Sequence, residues 1–149
     1  MFPNAKGSEQ LAILATIDPS NQAAGVANSS WISLGGYHSL LALIETGVLA
    51  NGSTVDAKLQ QATDGNGTGA KDIVGKSITQ LTQAANGSSR QALVNLRSED
   101  LDVNAGFAYV RLVLTVGTAA AYTAAQLLGM NPRYEPADGS NQSAVAQVV

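Results

Sequence analysis

Cysteine is absent from the 149 residues, which excludes disulfides, thiolate nucleophiles and Cys-based zinc sites and leaves no mark of an oxidising compartment. Histidine occurs once, as His38, so metal chemistry is narrowed further. Charge is scarce: Asp, Glu, Lys and Arg make up 13% of the chain, about half of the ~25% usual in a soluble globular protein. The net charge is −3 and the eight Lys and Arg are scattered singly, so there is no phosphate-tracking patch and nucleic acid is not an expected partner. No apolar run approaches the ~18 residues of a membrane span. Met1-Phe2-Pro3-Asn4-Ala5-Lys6 also lacks a basic stretch leading into an apolar one, and the expectation is a protein neither exported nor spanning a membrane.

Ala, Gly, Ser, Thr, Asn and Gln fill the space left by charge. A polar but weakly charged surface can lie against another protein without stranding ions, because burying an unpaired charge is costly. That favours an assembly component, with an ordinary neutral domain as the plain alternative. At this length one domain is expected, large enough to bury roughly two-thirds of its unfolded surface.

The longest strand-like run is residues 107–116. Val110, Leu112, Leu114 and Val116 fall on one face at period two, and Tyr109, Arg111, Val113 and Thr115 on the other, so this reads as a central strand with one covered face. The mixed face suits solvent or a partner. Other strands are expected over residues 11–17, 31–34, 37–49, 55–61 and 92–97, with one or two short strands within 72–81. In the 37–49 window Leu, Ala and Glu favour helix, but the bracketing Gly35-Gly36, Gly47 and Asn51-Gly52 leave a strand-length piece ending in hairpin chemistry. Residues 18–21, with Asp18-Pro19, read as a break and residues 22–30 as loop. The alanines of residues 118–129 argue for helix; their place at the end of a hairpin-like series argues for strand, which is the reading adopted.

These elements imply an all-β fold, an antiparallel jelly-roll-like β-sandwich over residues 11–137. An N-terminal arm, residues 1–10, and a C-terminal arm or tail, residues 138–149, extend from it. The tail either reaches a neighbour or is disordered.

Motifs for chemistry are weak. Gly65-Asn66-Gly67-Thr68-Gly69 lacks the phosphate-loop pattern and reads as a hairpin loop. Asp64, Asn66 and Asp72 could offer oxygens to calcium but lack the spacing of a calcium loop. Asn-x-Ser/Thr triplets occur at Asn28, Asn51, Asn66, Asn86 and Asn141, three of them as Asn-Gly turns. No Gly-x-Ser-x-Gly elbow accompanies His38, which reads as a structural hydrogen-bonding residue, and no motif pairs carboxylates for glycosidic chemistry. Glu99, Asp100 and Asp102 read as a solvated acidic turn. Trp31 reads as a core anchor or lid, with a ligand platform as the alternative.

Four segments carry a resemblance: Trp31-Ile32-Ser33-Leu34, residues 54–64, Gly67-Thr68-Gly69-Ala70-Lys71-Asp72-Ile73, and Ile78-Thr79-Gln80-Leu81. Asn95-Leu96-Arg97, Glu99-Asp100-Leu101-Asp102, Tyr109-Val110-Arg111-Leu112, Gly129, Pro132-Arg133-Tyr134 and Pro136-Ala137 extend it. Over residues 11 to 137 the chain resembles small proteins encoded among the head genes of tailed bacteriophages and prophages, similar to capsid cement or decoration proteins. The resemblance is one of strand-and-turn pattern, with no catalytic signature. It implies a non-enzymatic structural protein on the outer capsid surface of the virion, without cofactor or metal, self-associating as a homodimer or homotrimer. Its partner would be the major capsid protein, in a shell stabilised against the pressure of packaged DNA.

The expected contact set is Phe2 in the N-terminal arm, Val145, Val148 and Val149 in the tail, and a self-association face including Tyr109, Arg111 and Tyr134, with Val113 on the same side of its strand as a candidate subunit or capsid contact. Arg133 is either a charge partner or a turn brace. The competing function is a carbohydrate-binding sandwich displayed on the particle, with Trp31 or exposed tyrosines stacking on sugar.

Overall fold

The computed structural model describes residues 3–149. One helical turn, α1 (Gly7–Gln10), precedes ten strands. They are β1 (Leu11–Gln22), β2 (Gly25–Asn28), β3 (Ile32–Ser33), β4 (Tyr37–Leu49), β5 (Thr54–Ala62), β6 (Lys71–Ser77), β7 (Leu81–Thr82), β8 (Gln91–Arg97), β9 (Tyr109–Gly117) and β10 (Ala121–Pro132). One sheet has the order β1-β10-β4-β8; the other runs β2-β9-β5-β6, with β3 added to β9 and β7 to β5. Strands early in the chain pair antiparallel with strands late in it: β1 with β10, β2 and β3 with β9, β4 with β8, β5 with β6 and β7. A long hairpin rolled on itself in this way is a jelly roll, and the all-β antiparallel sandwich expected from the sequence is the fold observed.

The core lies between the sheets. From β9, Val110, Leu112 and Leu114 are fully buried and Val116 is 1% exposed, so the strand singled out by its period-two pattern is central, between β2 and β5. Leu40, Ala42 and Ile44 of β4 and Ala125 and Leu127 of β10 face them from the other sheet. The alanines of β10 form strand because two long neighbours, β1 and β4, take its backbone hydrogen bonds on both sides; tertiary pairing overrides local propensity. Small residues also admit larger ones. A Cβ on Gly129 would meet Leu14 and Tyr37 side chains at 2.8 Å.

Two expectations are corrected. Asp18-Pro19 does not end the first strand: β1 continues to Gln22, with a register shift between Ile17 and Ser20 that absorbs both residues. β1 is an edge strand, where a proline without an N–H interrupts no ladder. Residues 22–30 are not all loop, because β2 pairs with β9 from Gly25↔Val116 to Asn28↔Val113.

The C-terminal segment folds back on the domain. Ala137 is 1% exposed and packs with Ala12 and Tyr37. Asn141 Oδ1 accepts from the Ile13 amide at 2.8 Å, the Gln142 amide donates to the Ile13 carbonyl at 2.8 Å, and Gln142 Nε2 donates to Thr16 Oγ1 at 3.1 Å. This part of the tail satisfies the backbone at the β1 edge, which an open strand would leave available for pairing. Residues 143–149 carry no strand or helix.

Candidate functional site

The expected contact residues lie in separate places. Tyr109, Arg111 and Val113 project from the outer face of the β2-β9-β5-β6 sheet, as their alternation with the buried residues of β9 requires. Arg133 and Tyr134 follow β10; the Arg133 amide donates to the Gly36 carbonyl, and Tyr134 is 85% exposed. Val145 is half-buried, and Val148 and Val149 are exposed in the tail. Phe2 lies outside the described residues.

Arg111 is the organised member of the first group. Its Nε and Nη2 both donate to Gln60 Oε1, at 3.1 and 2.9 Å, and its guanidinium lies 4.7 Å from the centroid of the Trp31 ring, a cation–π stack. Gln60 stands opposite Arg111 in the β5–β9 register. Trp31 is therefore not in the core: it is half-buried on the outside of this sheet, with Arg111 on its ring and the Gly67 backbone close to its indole edge. Val113 points outward yet is only 7% exposed. It stands between Asn28 of β2 and Lys58 of β5 and offers little of its own surface.

The loop at residues 64–69 is held by its own acid. Asp64 Oδ1 accepts from the backbone amides of Asn66 and Thr68, and Oδ2 from the Thr68 hydroxyl at 2.7 Å; these bonds, the Thr68 hydroxyl foremost, hold its carboxyl below the ordinary range. Asp72, the other calcium candidate, is held low by Lys58 and Gln60. The acidic turn is also bound into the fold. Asp100 accepts from the Arg97 amide, which lowers its pKa, and pairs with Lys76 at 3.1 Å; Asp102 pairs with Lys71 at 2.7 Å. The solvated turn of the sequence reading is thus a set of ties to β6. His38 is exposed, and no side-chain hydrogen bond is formed by it among the described residues, so the structural bond expected of it is not seen.

Arg133 borders a hollow of about 370 Å³ with Leu34, Leu101, Val103 and Phe107. Its side chain makes no ion pair or hydrogen bond among the described residues.

Comparison with solved structures gives the fold its context. A chain of the Broad Bean Stain Virus structure superposes at a TM-score of 0.50 with 9% identity, covering 92% of both chains. The jelly-roll fold is shared with that chain. Desmodium yellow mottle tymovirus (TM-score 0.41, 12% identity, 90% of this chain and 95% of that one) and the Cowpea Mosaic Virus empty particle (0.45, 10%, 89% and 86%) are also similar. At 9% identity the first superposition concerns the fold alone. No protein-family model and no curated protein matches the chain.

Sequence reasoning missed two features. The Trp31–Arg111–Gln60 cluster joins two strands, β5 and β9, with the residue that precedes β3, and leaves no local signature. The second is the outer face of the β1-β10-β4-β8 sheet, where Leu41, Leu43 and Leu128 are half-exposed and Leu93 is 59% exposed. It had a signal: residues 40–44 are an unbroken apolar run, and a strand apolar on both faces is one that expects cover on both.

Proposed function

We propose that this chain is a non-enzymatic structural protein of a virion, of the cement or decoration type, seated on the outer surface of a shell built by a major capsid protein. The observation that carries the reading is the superposition of a bare jelly roll on a virus-particle chain over 92% of both. The low charge content and the uncovered apolar outer surface support it, since both suit contact with protein. The mechanism is binding repeated by symmetry: each copy adds a modest contact, and the lattice multiplies it.

The proposed shell contacts are Tyr109 and Arg111 on one sheet, Arg133 and Tyr134 beyond β10, and the tail after Gln142 with Val145, Val148 and Val149. Arg111 is preorganised by Trp31 and Gln60, so its remaining donors meet an acceptor at little entropic cost. The carbohydrate reading finds less support, because Arg111 already lies on the Trp31 ring and the Gly67 backbone on its edge. Heating DNA-filled capsids with and without the protein tests the function. Cement activity raises the temperature of DNA release; identical release temperatures at full occupancy, or no occupancy, would sink the proposal.

A further inference from the structure

The outer face of the β1-β10-β4-β8 sheet is laid out in rows by the strand register. One row is Ile13, Leu128, Leu41 and Asn95; the next is Thr16, Gln126, Leu43 and Leu93. Leu41, Leu43 and Leu128 belong to neither buried core cluster, and Leu93 is 59% exposed. The centre of the face is thus apolar and unpartnered. Its charges stand at opposite ends: Arg97 beside Ser39 at one, Glu45 beside Gln91 at the other, with Asp18 at the β1 bulge near Glu45. Glu45 has no cation partner among the described residues, and Arg97 has only the exposed Glu99, at 3.1 Å.

An apolar centre with opposite charges at its two ends is what a self-complementary two-fold contact requires. We infer that this face is a homodimer interface, with two copies packed sheet on sheet and their strands antiparallel across the contact. A two-fold axis between the sheets, running across the strands between the two leucine rows, sets Leu41 of one copy on Leu43 of the other. The same axis brings Arg97 of one copy over Gln91 of the other, one strand from Glu45. The alternative axis, along the strands, leaves Arg97 away from both acids. Size agrees as well: four strands at about 4.8 Å spacing and up to 13 residues at about 3.3 Å each give a face of roughly 600–800 Å², close to the ~800 Å² that each partner contributes to a standard interface. The inference goes beyond the shell-binding reading and is tested on the isolated protein.

Sedimentation velocity on the full chain, from about 1 to 100 µM, reads the dimer directly. The wild type sediments as a dimer, and Leu93→Glu, at an exposed edge position that leaves the core untouched, moves the dimer–monomer midpoint up by about tenfold or more. Leu41→Glu at the centre does so more strongly, with circular dichroism checking its fold. Glu45→Arg and Arg97→Glu each weaken the dimer, and together they restore it in part. A wild type that is monomeric at 100 µM, a trimer, or a dimer indifferent to Leu93→Glu overturns the inference. So does a monomer whose occupancy on capsids falls with Leu93→Glu, which would give this face to the shell.

Discussion

Gly67 is held at φ +85°, and a Cβ placed there would lie 2.6 Å from Trp31 Nε1. Two penalties therefore meet at one position, a left-handed backbone that side chains rarely adopt and a clash with a half-buried indole. Gly67→Ala is expected to lower stability by about 1–2 kcal/mol and to shift Trp31 emission to the red as the ring is pushed from under the loop. Urea titration followed by tryptophan fluorescence reads both; unchanged emission with unchanged stability would show that the loop does not rest on Trp31. Nothing in the local sequence announces this contact. Gly65-Asn66-Gly67-Thr68-Gly69 is legible as a turn because Asp64 and its neighbours have turn chemistry, but Trp31 is more than thirty residues away in sequence and reaches the loop only through β9 and β5. The same distance hid Gln60 from Arg111.

At the scale of elements, the tail divides at Gln142. Residues 137–142 are fastened to β1 by the Asn141 and Gln142 bonds to Ile13 and Thr16, whereas residues 143–149 are not. Deleting residues 138–149 would therefore confuse loss of binding with loss of fold, and the cleaner variant removes only 143–149. That truncation is expected to leave the denaturation midpoint unchanged and to reduce occupancy on capsids; undiminished occupancy would remove Val145, Val148 and Val149 from the contact set. Asn141→Ala should cost about 1 kcal/mol through the Ile13 amide it leaves at the edge, with faster hydrogen exchange at that residue as the check.

The strands themselves were largely legible, because the alternation in β5, β8 and β9 is a direct print of one buried and one exposed face. Pro19 and the alanines of β10 illustrate the limit. Whether a proline breaks a strand depends on which edge it occupies, and whether alanines form strand depends on which neighbours bond them, and both are properties of the assembled sheet. The outer leucines of β4 were visible as a run, but only the register across β10 and β8 shows that they make one surface.

At the scale of the molecule, three of the four ion pairs among the described residues are gathered on one sheet edge. Asp72 pairs with Lys58 at 2.8 Å, Asp100 with Lys76 and Asp102 with Lys71, so each of these bridges joins β6 to a neighbouring element. Asp72 and Asp100, with Asp64 in the adjoining loop, have carboxyls held below their ordinary value of 3.8. The unfolded chain therefore takes up protons before the folded one does as pH falls. The stabilisation from these groups is present in full above the unfolded value and is lost as pH drops through the lower folded values. These side chains are exposed or half-exposed and each tie is weak, so acid should loosen an edge before it unfolds the domain. Hydrogen exchange at pH 3 should show β6 losing protection ahead of β9 and β10, which sit between two hydrogen-bonded neighbours. Asp72→Asn and Asp100→Asn should flatten the acid limb of stability against pH. Uniform loss across both sheets, or an acid limb unchanged in the variants, would show that these ties do not govern it. The β1-β10-β4-β8 sheet would be spared this loosening, because it carries none of these ties except through Arg97 and the turn after β8. Surfaces built on β5 and β6 would weaken first. Hydrogen exchange at pH 3 would reveal it, as protection lost along β5 and β6 while β4 and β10 remain protected.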